Sequence, residues 1–296
     1  MSGKATLPSV DRRAGLTGEA FNSEYVSKGR PVIIAGAQGR WKAHSDWSPE
    51  YFASNLPDLK VLIKEFTPAG IEKKQWKVAD YVDYLCRYEQ QEDKTIPPLY
   101  CHDIPIFHLA PDLAEDIMPF PLEFFPDWYH EGWWRYIQFF MGPSRSLTPL
   151  HFDCLLTHNL FFQVFGRKRF TLVSREEWDG CYRKGWRWFE VDPEQPDYER
   201  HPRFKQVSLM EALLQPGDIL YMPPGMAHHV RSLDRSISFN IDWHTPSSAV
   251  QGVMAGLRGM PRENIYYNSL VCLGLFCKLP SRLIFPFYKS YLNYVS

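Results

Sequence analysis

The residues best equipped for chemistry lie in one run, Thr148-Pro149-Leu150-His151-Phe152-Asp153. Read as a strand, whose residues two apart share a face, it would project the His151 imidazole and the Asp153 carboxylate side by side. A His-x-Asp by itself is most often a surface or hydrogen-bonded pair. A third group from a distant strand changes its meaning, and Tyr221-Met222-Pro223-Pro224-Gly225-Met226-Ala227-His228-His229 offers one. Two imidazoles and one carboxylate on one side of a metal leave the opposite positions open, which is the ligand set of non-haem iron(II) oxygenases. Those positions would take a bidentate keto acid and dioxygen. Neighbours on a strand alternate, so only one of His228 and His229 can face inward, and the other is a core or surface histidine.

Positioning such a set requires a rigid frame, and the middle of the chain reads as one. Residues 135–140, 159–165, 169–173, 218–222, 229–232 and 236–243 have the composition of short strands. Gly142-Pro143-Ser144, Gly166-Arg167, Pro216-Gly217-Asp218 and Pro223-Pro224-Gly225 separate them as turns. This pattern predicts a sandwich or closed barrel of antiparallel strands. Ser174-Arg175-Glu176-Glu177 has the form of a capping box and predicts a short helix. Upstream, residues 19–28 suit an amphipathic helix ended by Gly29, and residues 31–35 and 60–66 suit strands. Residues 78–88 read as a helix with Tyr81, Tyr84 and Leu85 on one face. Prolines across residues 97–126 predict an irregular wrap with one short strand near Leu99-Tyr100, and residues 1–15 are polar and expected to fray. From residue 247 the chain turns helical, punctuated by Pro280 and Pro286. The expected organisation is an α/β wrap over residues 1–130, a core barrel over 131–246 and a helical segment over 247–296.

Composition sets outer bounds. At 296 residues, 45% hydrophobic and 23% charged, the chain is an ordinary globular protein, and 16% aromatics favour broad packed sheet faces. Lys and Arg (33) nearly balance Asp and Glu (34), so no global basic field draws it to nucleic acid or anionic membranes. Cys86, Cys101, Cys154, Cys181, Cys272 and Cys277 form no CxxC pair, which suits free thiols. Met1-Ser2-Gly3-Lys4-Ala5 lacks the apolar core of a signal peptide, and the apolar stretch at residues 270–276 falls short of the ~20 residues that span a bilayer. A cytoplasmic enzyme is the expectation.

These motifs resemble the JmjC family of iron(II)- and 2-oxoglutarate-dependent oxygenases, particularly its small hydroxylases of the factor-inhibiting-HIF asparaginyl type. The resemblance runs from Phe21 to His244, strongest over residues 142–168 and 216–243. It implies a double-stranded β-helix, a jelly-roll or cupin-like barrel, that is mainly β with flanking helices. It places the metal on His151, Asp153 and His228, with Fe(II), 2-oxoglutarate and O2 as cofactor and cosubstrates. Thr148, Asn159 and Lys168 match cosubstrate-pocket positions, Lys168 as the cation for the distal carboxylate, and Asn240 and Tyr100 match two further pocket positions. Each also has a plainer reading: Lys168 a solvated hairpin charge, Asn159 a turn cap, Asn240 a structural hydrogen bond, Tyr100 a core aromatic. Arg235 is the runner-up partner for the carboxylate.

Two departures from the family pattern stand out. The link from Cys154 to His158 is longer than usual, which would displace Asn159, and Ala227 stands where an aromatic is frequent. Family demethylases more often carry Glu at the position of Asp153 and add histone-reading domains, so the resemblance implies hydroxylation of a peptide or protein side chain. The rivals are a small natural product or free amino acid as substrate, or a metal-binding cupin without oxygenase chemistry. The Trp-, Arg- and Pro-rich stretch at residues 178–204 is expected to be inserted between barrel strands, as a lid or a loop packed on the sheet. Apolar clusters at Leu270, Leu273 and Phe276, then Leu283, Ile284 and Phe287, predict a homodimer through the C-terminal helices.

Overall fold

The computed structural model describes residues 7–67, 70–91 and 98–295. The first strands, in chain order, are β1 (Arg12–Ala14), β2 (Val32–Ala35), β3 (Lys60–Thr67), β4 (Gly70–Lys77) and β5 (Tyr100–Ile104). The central ones are β6 (Ile137–Gly142), β7 (Leu147–His151), β8 (His158–Phe165) and β9 (Lys168–Val173). Then follow β10 (Arg183–Lys184), β11 (Trp188–Phe189), β12 (Leu209–Leu214), β13 (Ile219–Met222), β14 (Ala227–Ser232) and β15 (Ser236–Trp243). They form a nine-stranded sheet, β1-β2-β13-β8-β15-β6-β5-β3-β4, and a six-stranded sheet, β10-β11-β7-β14-β9-β12. Strand pairs are antiparallel apart from β1 on β2. This is the mainly β, jelly-roll architecture expected from the sequence.

Period-2 alternation sorts side chains between two compartments. On β15, Ile237, Phe239, Ile241 and Trp243 pack into the large outer core, whereas Asn240 and Asp242 line the barrel interior. β8 and β6 follow suit, with Leu160, Phe162, Ile137 and Phe139 outward and Asn159, Phe161, Gln138 and Phe140 inward. The outward side chains meet an aromatic layer from the N-terminal wrap, where the Phe120 and Trp133 rings stack with centroids 3.8 Å apart. Helix Val78–Gln90 buries Tyr81, Leu85 and Tyr88 on the same sheet, and the Tyr81 hydroxyl donates to Met141 O at 2.8 Å.

Several expectations need correction. The described part of residues 1–15 is not frayed: β1 pairs with β2, and Arg12 holds Asp218 through two hydrogen bonds of 2.6 and 3.0 Å. Residues 1–6, and Pro97 at the head of the proline-rich stretch, lie outside the described residues. The helix expected over residues 19–28 is an α-turn, Gly18–Phe21, continued by a π-turn, Asn22–Val26. Two strands carry no strand-like pattern. β4 is an exposed edge strand of charged residues, and β12 (Leu-Met-Glu-Ala-Leu-Leu) is rich in helix formers yet pairs with β9 along its length, a tertiary override of propensity. At Ser174 the capping box does not form; a 3-10 helix, Arg175–Cys181, follows without a side-chain cap.

After the barrel, helices Pro246–Met254, Arg262–Phe276 and Ser281–Val295 complete the chain. Thr245 and Ser248 form a capping box at the first. The last helix folds back on its own chain through Ile284 and Phe285, the latter edge-on to Tyr136. Leu283 and Phe287 on this helix, and Leu273 and Phe276 on the one before it, stay 50–60% exposed. No described helix is long and apolar enough to cross a membrane, and no disulfide joins any of the six cysteines.

Candidate active site

The site begins with an irregularity in β7. His151 pairs with His228 and Thr148 with Val230, so β7 holds two residues, Pro149 and Leu150, opposite the single residue His229 of β14. This bulge brings Thr148 and His151, three apart, to the same interior face, and Pro149 is tolerated where the ladder is broken. β7 ends at His151, so Asp153 does not share a strand with it as expected. Asp153 instead opens a tight turn whose carbonyl accepts from Leu156 N at 2.9 Å, and the turn returns its carboxylate to the cavity.

His151, Asp153 and His228 thereby offer ligand atoms that all lie within 4.8 Å of one another. Each histidine has Nδ1 against the carbonyl two residues before it, His151 on Pro149 O (2.8 Å) and His228 on Met226 O (3.1 Å). That leaves both Nε2 atoms for the cavity, and His228 Nε2 stands 3.9 Å from Asp153 Oδ1. Burial pushes both imidazoles below the usual histidine range, so they are neutral donors at ordinary pH. Neutral nitrogens, an oriented carboxylate and backbone carbonyls fixing the ring tautomers are the chemistry of a two-histidine, one-carboxylate metal centre, and the residues fit ferrous iron.

Lys168 lies within the same cavity, fully buried. Its ammonium donates to the Tyr100 hydroxyl at 2.6 Å and to Ser238 Oγ at 2.8 Å, and it lies about 5.0–5.4 Å from the ring centroids of Tyr100, Phe140 and Phe161. Among the described residues no carboxylate pairs with it. Burial lowers its pKa to about 7, which poises it between ammonium and neutral amine near neutral pH, and an anion placed beside it would favour the ammonium. Asn159 Nδ2 donates to Asp153 Oδ2 (3.1 Å) and to Asp242 Oδ1 (2.8 Å); the longer link before it has not displaced it. Asn159 Oδ1, Asn240 Oδ1 and Gln138 Nε2 have no hydrogen-bond partner among the described residues, as suits groups facing a polar ligand or water.

One cavity thus collects Tyr100, Thr148, His151, Asp153, Asn159, Lys168, His228 and Asn240, all eight residues singled out from the sequence. It also holds residues that the sequence reading missed. Asp242 is buried and pushed well above the carboxylate range, by burial first and then by Asp153 and Asp103. His102 Nε2 lies 3.3 Å from Thr148 Oγ1, and its Nδ1 lies 2.8 Å from Asp103, which Lys64 pairs at 2.7 Å. Burial holds His102 neutral, at about 4, while His102 and Lys64 keep Asp103 low against the opposing effect of burial. Alternation along β15 was the available signal for Asp242, two residues after Asn240. The other three sit on β3 and a bulged β5, with no local motif.

Residues near the site but outside it are equally defined. Arg235, the runner-up partner for the carboxylate, pairs with Glu50 at 2.5 Å and does not line the cavity. His229 points to the opposite side of β14, 3.7 Å from Glu194. The insert over residues 178–204 combines the two roles expected as alternatives. Its short hairpin β10–β11 adds to the β7 edge, with Trp188 in register with His151 and its ring stacked on that imidazole at 5.0 Å. Trp178 stacks on Phe152 at 4.1 Å, and Trp186 Nε1 donates to Cys154 O, which packs the same segment on the sheet.

The fold and this cavity define a cupin-type barrel, and residues 18–249 match the cupin-like domain family, to which the chain belongs. Its relatives bear out the JmjC resemblance. The chain is 26% identical over 250 residues to lysine-specific demethylase JMJ30 of Arabidopsis thaliana, covering 80% of this chain and 55% of that protein. It is 30% identical over 236 residues to lysine-specific demethylase 8 of Danio rerio, covering 76% and 56%. With the 2-oxoglutarate and iron-dependent oxygenase JMJD4 of Gallus gallus it shares 25% identity over 262 residues, covering 79% and 59%. The chain spans about half the length of the curated relatives it matches.

Proposed function

We propose that this chain is an iron(II)- and 2-oxoglutarate-dependent oxygenase that hydroxylates an unactivated C–H bond on a peptide or protein side chain. One observation carries the reading: a His/Asp/His cluster and a buried lysine paired only with hydroxyls face the same cavity. His151, Asp153 and His228 would hold the iron. Iron bound there, with 2-oxoglutarate and dioxygen as cosubstrates, supplies the oxidising chemistry. Lys168 with the Tyr100 and Ser238 hydroxyls binds the distal carboxylate, a charge-assisted contact strengthened by burial. Thr148, set by the β7 bulge, adds a hydroxyl to the same pocket, and Asn159 steadies Asp153. Phe140, Phe161 and Phe170 wall the cavity and exclude water from the reacting groups.

The relatives support the oxygenase class, and two of those named above are lysine-specific demethylases. Hydroxylation is preferred because Asp153 stands where family demethylases more often carry Glu. The exposed stripe Leu273, Phe276, Leu283 and Phe287 supports a homodimer through the last two helices. Six cysteines without a disulfide among them support a reducing, cytoplasmic setting.

The test is incubation with ferrous iron, ascorbate and 2-oxoglutarate, reading succinate, then peptide pools and metabolite extracts, reading a gain of one oxygen atom. Succinate with oxygen gained on peptides is the expected result. Oxidation confined to metabolites, or formaldehyde released from methylated lysine, would replace the substrate reading. Absence of succinate would leave a metal-binding cupin.

A further inference from the structure

We infer that the insert over residues 178–204 is a brace for the metal-ligand triad, with Trp178, Trp186 and Trp188 as positioning residues, one beside each ligand. This deepens the oxygenase reading and rests on it for the identity of the metal; the contacts themselves stand without it. Trp188 serves His151. β11 meets β7 in register at Trp188 opposite His151, and the indole stacks on that imidazole at 5.0 Å and 30°. Just past the ligand, Phe152 N donates to Arg187 O at 3.1 Å, which ties the backbone to the same hairpin. The ring of His151 is thus fixed by Pro149 O at Nδ1 and by an aromatic plane against its face.

Trp186 serves Asp153. That carboxylate sits on a turn beyond the end of β7, and a ligand on a loop is held less precisely than one on a strand. Trp186 Nε1 donates to Cys154 O, on the next residue, at 2.8 Å, and Asn264 Nδ2 reaches the same oxygen at 3.3 Å. Trp178 serves His228. Its Nε1 donates to Gly225 O at 3.0 Å, and the following carbonyl, Met226 O, lies 3.1 Å from His228 Nδ1. Gly225 has φ 81°, and a Cβ there would stand 3.2 Å from Trp178 Cζ2, so the turn packs directly against the indole. The same indole stacks on Phe152, between His151 and Asp153, with centroids 4.1 Å apart. One segment therefore bears on all three ligands, which come from two distant stretches of chain. Ligands oriented in advance lose less freedom when an ion arrives, so such outer contacts raise metal affinity.

Trp128 supplies a matched control, because its Nε1 donates to Leu279 O at 2.7 Å, the same kind of bond made between the last two helices. The experiment uses the full chain and its Trp178→Phe, Trp186→Phe, Trp188→Phe, Trp188→Leu and Trp128→Phe variants. Anaerobic competition with a chromogenic chelator reads the ferrous iron Kd, cobalt(II) absorption bands read ligand geometry, and melting temperature reads stability. Trp178→Phe and Trp186→Phe, which keep a ring and lose the N–H, should each weaken iron roughly tenfold or more and shift the cobalt bands. Trp188→Leu should do the same, whereas Trp188→Phe, which still stacks, should stay within about threefold of the parent. Trp128→Phe should lower the melting temperature and leave the iron Kd and the cobalt bands unchanged. Iron binding within about threefold of the parent in both N–H variants, equal losses in Trp188→Phe and Trp188→Leu, or an equal loss in Trp128→Phe would each overturn the inference while leaving the oxygenase reading in place. A parent chain that binds no ferrous iron would overturn both.

Discussion

His228 and His229 are neighbours of the same residue type on the same strand, yet β14 presents them to two different worlds. On the inner face, His228 stands with its ring centroid 4.3 Å from that of His151 and its Nε2 3.9 Å from Asp153, in a cavity where the buried Lys168 amine is held by the Tyr100 and Ser238 hydroxyls. On the outer face, His229 joins Asp192 and Glu194 in a second cluster of possible metal ligands. There the carboxylate is already committed: Glu194 is held by Arg169 at 2.6 Å and Arg231 at 2.5 Å, and its pKa lies far below the usual range despite burial. A cation would have to displace two guanidinium groups. Ligand types and distances alone do not make a metal centre. What distinguishes the inner cluster is that its carboxylate is steadied by an amide, Asn159, rather than neutralised by charge. The outer cluster fastens the insert to the sheet and so holds Trp188 over His151 from a distance.

Breaking the inner cluster should have the largest effect. His151→Ala or Asp153→Ala is expected to abolish iron-dependent succinate formation, since two remaining ligands cannot hold the site, and residual turnover within tenfold of the parent, about 1.4 kcal/mol, would contradict the assignment. Lys168→Ala comes next. Loss of a sheltered charge pair should weaken 2-oxoglutarate by about 2–5 kcal/mol, read as a raised KM or Kd.

The same lysine gives a pH signature. Its free-protein pKa of about 7 must rise when the dianion binds, so binding takes up a proton above that pH. Affinity should fall by up to about tenfold per pH unit as pH climbs from 7, and calorimetry in buffers of different ionisation enthalpy should show the proton uptake. In the cosubstrate-free protein the unfolded chain binds the extra proton between about 7 and 10.5, so this group makes stability rise with pH across that window. A flat affinity profile would return Lys168 to a structural role.

Breaking the outer cluster should cost stability more than chemistry. Glu194→Gln leaves two arginines without a charge partner, and a loss of about 1–3 kcal/mol by denaturant unfolding is expected, with metal binding retained. Smallest of all should be the effect of Phe276→Ser with Phe287→Ser on the isolated subunit, since both rings are more than half exposed. If the stripe is a dimer interface, light scattering should show the parent as a dimer and this variant as a monomer; a monomeric parent would remove the idea.

Much of the site was legible because strand chemistry writes it locally. Thr148, His151, Asn159, Lys168, His228 and Asn240 sit on strands whose alternation separates interior polar from exterior apolar positions, and the turn residues mark where those strands end. The placement of Asp153 was not, because it depends on a bulge and a turn rather than on period 2. His102, Asp103 and Lys64 were invisible for a different reason. They reach Thr148 from strands about 40 to 80 residues upstream, and Asp103 adopts a left-handed backbone (φ 59°) that no sequence rule anticipates for an aspartate inside a strand. β12 was missed because six paired residues outweigh helical propensity, a decision taken by β9 and not by β12 itself.

The central claim is that metal and 2-oxoglutarate meet on the inner face of β14, and the most direct measurement is anaerobic calorimetry of 2-oxoglutarate binding with and without ferrous iron. The parent chain and the His228→Ala and His229→Ala variants would be compared. The parent and His229→Ala should bind one 2-oxoglutarate in a metal-dependent manner, and His228→Ala should lose the metal-dependent part. Binding that ignores iron, or that survives His228→Ala and fails in His229→Ala, would contradict the account.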